Sequence, residues 1–116
     1  MTTTNNRVRE HFEGDSPYAV NAAPDNGGLT AVDENVRAHV VTADGTNTVD
    51  LDDAAKEGHT VTVVHDGGAN TPTVAFDDAD FVGTGPSDLT TAGETATLLN
   101  TDGTTSGWVV VSTGSA

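Results

Sequence analysis

The sequence predicts an all-β protein, a small antiparallel β-sandwich or barrel-like domain with an extended N-terminal arm. Three observations lead there. From Asn47 to Thr113, short Val/Thr stretches alternate with Gly, Asp and Asn turns, the two-residue period of half-buried strands. The segment Asn100-Thr-Asp-Gly-Thr-Thr-Ser-Gly107 separates two such stretches and leads into Trp108-Val-Val-Val111, a closing strand with the only Trp of the chain. Before residue 33, by contrast, neither a helical nor a two-residue period survives.

At 116 residues the chain fits one domain plus an arm. The division is residues 1–32 for the arm and 33–116 for the β-domain. The arm contains Arg7, Arg9, Phe12, Tyr18 and the Pro/Gly/Asn-rich stretch Ala23-Pro-Asp-Asn-Gly-Gly28. It is either a free tail or a strap on a partner. Phe12 and Tyr18 favour the strap, because large apolar groups anchor on a partner surface and have no evident use in water.

The β-domain opens with Arg37-Ala-His-Val-Val-Thr42, the turn pair Asp44-Gly45 and Thr48-Val-Asp-Leu51, which together read as a hairpin. Asp52-Asp-Ala-Ala-Lys-Glu-Gly58 has acids at its start and a terminal Gly, the grammar of one short helical turn. In His59-Thr-Val-Thr-Val-Val-His-Asp66, alternation puts His59, Val61, Val63 and His65 on one face. Gly67-Gly68-Ala-Asn70 then turns the chain into Thr71-Pro-Thr-Val-Ala-Phe76, where Pro72 belongs at a strand start or edge. Asp80-Phe-Val-Gly83 is a fragment and Gly85-Pro-Ser a turn; Glu94–Asn100 and Gly107–Thr113 are the last two strands. Because every turn is short, consecutive strands are expected to be antiparallel neighbours.

Composition bounds the interior and the partners. Only 34% of residues are hydrophobic and 4% aromatic, Ile is absent and Val dominates, so burial offers little surplus over conformational entropy. A core this thin implies that identical subunits complete one another. The formal charge of −14, from 18 acids against four Lys plus Arg, excludes a nucleic-acid partner, which needs basic patches. In molar salt the Debye length falls to about 3 Å and such self-repulsion is screened, so the chain is read as coming from an extreme halophile or its virus. There are no cysteines, hence neither disulfides nor thiolate metal sites. The N-terminal residues do not form an apolar leader and no run is long enough to span a bilayer, so the expected route is synthesis in the host cytoplasm and exit only within a particle.

The order Val49-Asp-Leu51, Lys56-Glu-Gly58, Val61-Thr-Val63, Gly67-Gly68, Phe81-Val-Gly83, Ala92-Gly93-Glu94, Thr97-Leu-Leu99, Asp102-Gly103, Gly107-Trp108 resembles the small β-domains of tailed-virus tail fibres, spikes and head-decoration proteins. The resemblance covers a little over half of the chain. It implies a virion structural protein, commonly a homotrimer around a threefold axis, and with the inferred halophily a virus of halophilic archaea. Fibre proteins carry long repeated shafts, and no internal repeat is evident here. A stand-alone copy with a short arm therefore suits a capsid decoration protein, a cement or turret, bound to the major capsid protein on the head surface. The alternative is a tail-fibre or spike module that recognises the host cell surface, for which the loops Gly83–Ala92 and Thr101–Gly107 would carry the contacts. In the decoration reading, Arg7 and Arg9 meet acidic capsid surface while Phe12 and Tyr18 anchor. Val61, Val63, Phe81, Leu98, Trp108 and Val110 are the candidates for subunit packing.

Chemistry is sparse. His59 and His65 share a face, but six strand residues span about 20 Å, too far to hold one ion within a subunit; three copies of one His could meet on a threefold axis, and the plainer reading is strand-end histidines in solvent. Asp50-Leu-Asp-Asp53 and Asp77-Asp-Ala-Asp80 are the densest carboxylate clusters, yet neither has calcium-loop spacing. No cofactor is assigned, and a structural cation stays open without a site. No Gly-x-Ser-x-Gly elbow, His-Glu-x-x-His or cysteine nucleophile is present, and Gly103 and Gly107 do not form a phosphate loop, so the sequence predicts no enzyme. Trp108 is either a binding platform or an anchor of the last strand, and the anchor is favoured.

Overall fold

The computed structural model describes residues 18–21, as backbone, and 27–116. It is all-β. The strands are β1 (Tyr18–Asn21), β2 (Leu29–Ala31), β3 (Ala38–Asp50), β4 (Thr60–Phe76), β5 (Thr95–Asn100) and β6 (Trp108–Gly114). One mixed sheet runs in the order β1-β3-β4-β5-β6, with β2 also paired to β3. Short 3-10 turns at Asp52–Ala54 and Asp78–Asp80 follow β3 and β4.

The expected antiparallel hairpin around Asp44-Gly45 does not form. Residues 38–50 are one long strand, and β3 pairs with β4 in parallel. The Asp-Gly pair serves as a bulge instead, with register shifts between Val41 and Ala43 and between Asp44 and Thr46, and Gly45 at φ 63°. The facing part of β4 is irregular at the same level: Gly67, Gly68, Asn70 and Thr71 all have positive φ. Bulges bend and twist a strand without ending it, so turn residues here mark a bend where the sequence suggests a reversal. Asn47 stabilises the bend by accepting the Asp44 N–H at 2.8 Å, and Asn70 Nδ2 donates to Asp44 Oδ1 at 2.7 Å across the two strands.

Three chain segments therefore stack in parallel. Tyr18 lies opposite Ala38, which lies opposite Thr62; Leu29 lies opposite Thr48, which lies opposite Ala75. The backbone ladder recurs across these segments although the residues do not. Antiparallel pairing begins only at the far side, where β5 lies on the first half of β4 and Leu89 bridges Val74 on the second half. β5 and β6 form the antiparallel pair that the sequence predicts, with a bulge opposite Thr97 and Leu98.

The part of the arm segment that is described adds to the sheet. β2 lies within residues 27–32, Thr30 is 1% exposed, and Val32 is fully buried in the core. The core comprises valines of β3 and β4 together with Leu51, Phe81, Leu89, Leu98 and Trp108. It closes within one chain. Alternation along β4 holds as expected, with Val61, Val63 and His65 buried and Thr60, Thr62 and Val64 on the outer face. Among the described residues no helix is long and apolar enough to cross a membrane.

Candidate functional site

The parallel register brings two acidic segments together. Since Thr48 pairs with Ala75 and Val49 with Phe76, the acidic segments following β3 and β4 leave the sheet side by side. Asp50 and Asp52 from one, and Asp77 and Asp80 from the other, line an open cleft of ≈ 150 Å³ with Leu29, Thr48 and Val49. Two clusters that lie far apart in the sequence thus share one surface. Each is braced locally: the Asp52 N–H donates to Asp50 Oδ1 at 3.1 Å, and the Ala79 N–H donates to Asp77 Oδ1 at 3.0 Å. Asp50 and Asp80 are half-buried, Asp52 and Asp77 exposed. Partial burial, then the charges of Asp52, Asp77 and Asp50, push the Asp80 carboxyl up to about 6. Even so, among the described residues no three acidic or imidazole groups converge closely enough to hold a metal ion. The cleft is an acidic surface in which crowding and partial burial raise the Asp80 carboxyl.

His39 and His65 are buried, whereas the sequence suggests histidines at strand ends in solvent, and His59 is half-buried. His65 is 1% exposed. Its Nδ1 accepts the Gly67 N–H at 3.0 Å, so its proton sits on Nε2, which donates to the Pro72 carbonyl at 2.9 Å. The ring thereby ties together the two ends of the irregular stretch of β4, and both nitrogens are spent. His39 is 2% exposed, with Nε2 at 2.7 Å from the Thr30 hydroxyl, linking β2 to β3. Burial lowers its pKa, opposed by Asp33. His59 meets Trp108 edge to face at 6.2 Å between ring centroids.

Trp108 is fully buried, which makes it the anchor of the last strand and leaves no indole surface for a ligand. Of the residues expected to pack subunits, Val61, Val63, Leu98 and Trp108 are wholly enclosed by their own chain, and Phe81 is 7% exposed. Val110 lies at the rim of the core, partly buried. These side chains already have intramolecular partners. Arg7, Arg9 and Phe12 lie outside the described residues. Tyr18 begins β1, its backbone opposite Ala38.

The two loops named for surface recognition are each braced by internal hydrogen bonds at one or both ends. Glu94 Oε1 accepts the N–H groups of Thr90 at 3.0 Å and Thr91 at 2.6 Å, and these bonds hold its carboxyl below the usual range. Asn100, fully buried, accepts the Gly103 N–H at 2.6 Å and donates to the Thr104 carbonyl at 2.8 Å, pinning the Asn100–Gly107 loop. Asp102 accepts the Thr104 N–H at 2.9 Å, which lowers its own pKa.

No protein-family model matches the chain, and no curated protein matches its sequence. The geometry described above and the order of motifs in the sequence therefore carry the functional reading.

Sequence reasoning missed the acidic cleft and the buried histidines for the same reason. Both depend on which strand lies beside which, and alternation alone leaves that open. The one usable signal was the placement of an Asp cluster directly after each of two Val-rich segments.

Proposed function

We propose that this protein is a non-catalytic structural component of a virion, a capsid decoration protein that binds the head surface as a homo-oligomer and uses its N-terminal segment to grip the major capsid protein. The order of strand and turn motifs supports the reading. The structural observation that carries it is the rooting of the arm: the backbone of Tyr18–Asn21 is paired along β3 at the margin of the sheet. A strand in that position begins at an edge of the sheet, which suits a short strap reaching to a neighbour. Cementing acts by mass action, since area buried between decoration protein and shell stabilises only the assembled state.

The rival tail location lacks a comparable observation, because the only Trp is in the core and neither candidate recognition loop carries an aromatic residue. The acidic surface fits a molar-salt setting, where carboxylates stay hydrated and their repulsion is screened. Among the described residues the one side-chain ion pair is Lys56–Glu34 at 3.0 Å, so most carboxylates have no cationic partner.

The test is copy number and position in purified particles. Quantitative mass spectrometry and immunogold labelling should find hundreds of copies over the head. A handful of copies at the tail, or none in the particle, would refute the assignment. Removal of residues 1–17 should abolish rebinding to stripped heads while leaving the circular-dichroism spectrum of the domain unchanged.

A further inference from the structure

From Gly103 onward no residue carries a charged side chain, in a chain of net charge −14. That stretch contains β6, the last strand of the sheet order. Sheet margins in soluble proteins are ordinarily blunted with Lys, Glu, Pro or covering segments, because unpaired N–H and C=O groups recruit other chains. β6 has no such charge and no Pro. Among the described residues its outer side is covered only at the start, where the Val82 N–H donates to the Trp108 carbonyl at 2.8 Å. This bond shows that Trp108 turns its backbone groups away from β5. By alternation Val110 does the same and, past the bulge that holds Val111, so does Thr113.

Among the described residues, two of the three exposed large apolar residues mark the same margin. Leu29, Val82 and Val111 are 66%, 59% and 57% exposed. Val82 is held on the outer side of β6 by its own backbone bond, and Val111 is the bulged residue of β6. Two of the three thus flank one strand edge.

We infer that the outer edge of β6 is the surface on which a second copy of this chain docks, by antiparallel β6–β6 pairing about a two-fold axis between Val110 and Thr113. The occupant follows from charge. A basic partner would be met by carboxylates, and this chain carries 18 of them, all before Gly103. A second copy is itself strongly acidic, and two such molecules approach closely only along a strip from which charge is removed. An antiparallel pair of identical strands is also self-complementary, as a two-fold interface requires. The axis aligns the Val111 side chains near one another and extends the sheet across both subunits. The result is a closed dimer, in contrast to the threefold ring that the viral resemblance implies, and it stands whether or not the protein sits on a capsid.

Sedimentation equilibrium of the full chain in molar salt should give a dimer. Val111→Glu and Val82→Glu should each weaken it on the order of tenfold or more, since each places like charges at the pairing edge. Leu29→Glu, equally exposed but on β2, should leave it within about twofold. Because the chain has no cysteine, Val111→Cys supplies a second readout that does not depend on a destabilising charge. Mild oxidation should give a disulfide-linked dimer, while Leu29→Cys should stay monomeric on a denaturing gel. A folded wild-type monomer at high concentration, a trimer, or a dimer insensitive to both glutamate variants would overturn the inference. Protection of β6 amides from hydrogen exchange that persists on dilution to monomer would overturn it too, because another segment of the same chain would then cover the edge.

Discussion

Replacing Asp80 by Asn should stabilise the fold at neutral pH and lose that advantage in acid. Asp80 ends the 3-10 turn after β4 and faces the carboxylates of Asp50, Asp52 and Asp77 in the cleft. Its carboxyl is raised from 3.8 to about 6, first by burial and then by those neighbours. A carboxyl whose folded value exceeds its unfolded value binds its proton more tightly in the folded state. Its contribution is therefore full below 3.8, declines as pH rises, and is lost once pH passes about 6. The interval from 3.8 to about 6, at about 1.4 kcal/mol per unit, sets a ceiling of about 3 kcal/mol. Asp80 keeps part of its surface in water, and screening brings the expected gain from Asp80→Asn to roughly 1 kcal/mol at pH 7 in low salt. For a domain of this size that is a rise in Tm of about 3–6 °C. Thermal unfolding followed by circular dichroism, wild type against Asp80→Asn across acid and neutral pH, measures it. The difference should vanish below about pH 4 and shrink in molar salt, where the Debye length is about 3 Å. A difference independent of pH, or a variant less stable than wild type at pH 7, would refute the electrostatic account of the cleft.

Three further outcomes follow from the packing. Gly68→Ala should unfold the protein or cost several kcal/mol, because Gly68 has φ 139° and a Cβ there would collide with the Ala43 backbone of β3; denaturant titration checks it, and Gly27→Ala, with open space around it, should be far milder. Trp108→Ala, which empties the largest buried side chain, should cost about 3–5 kcal/mol in urea unfolding. His39→Gln should remove an acid-sensitive component of stability. Burial lowers the His39 value below 6.5, so its contribution is complete above that pH and is lost as pH falls through the lowered value. Unfolding free energies of wild type and variant, compared above and below pH 6, should converge in acid after differing by about 1 kcal/mol at neutrality.

Much of the secondary structure was legible because its causes are local. Alternation in residues 59–65 identified the buried face, and the Gly/Asp-rich loop before Trp108 identified the β5–β6 pair. The helical grammar of residues 52–58 settled into a 3-10 turn at Asp52–Ala54 with Gly58 at φ 84°. Two turn signals expected to reverse the chain, Asp44-Gly45 and Gly67-Gly68, bend it instead, with their glycines at positive φ. Asp44-Gly45 and Gly67-Gly68 satisfy a bulge as well as a hairpin, and nothing within four residues distinguishes the two.

By itself, the sequence determined the all-β class, the positions of the Val/Thr strands, the extreme negative charge and the uncharged closing strand, since these depend on composition and short-range periodicity. Tertiary structure alone decided that the first strands stack in parallel, and with that register it decided what lies next to what. It brought Asp50 and Asp52 beside Asp77 and Asp80, enclosed His39 and His65, and left β6 at the margin of the sheet. The physical reason is that a strand's own residues specify which face is buried, whereas its neighbour and direction are chosen by non-local contacts that only the assembled core can rank.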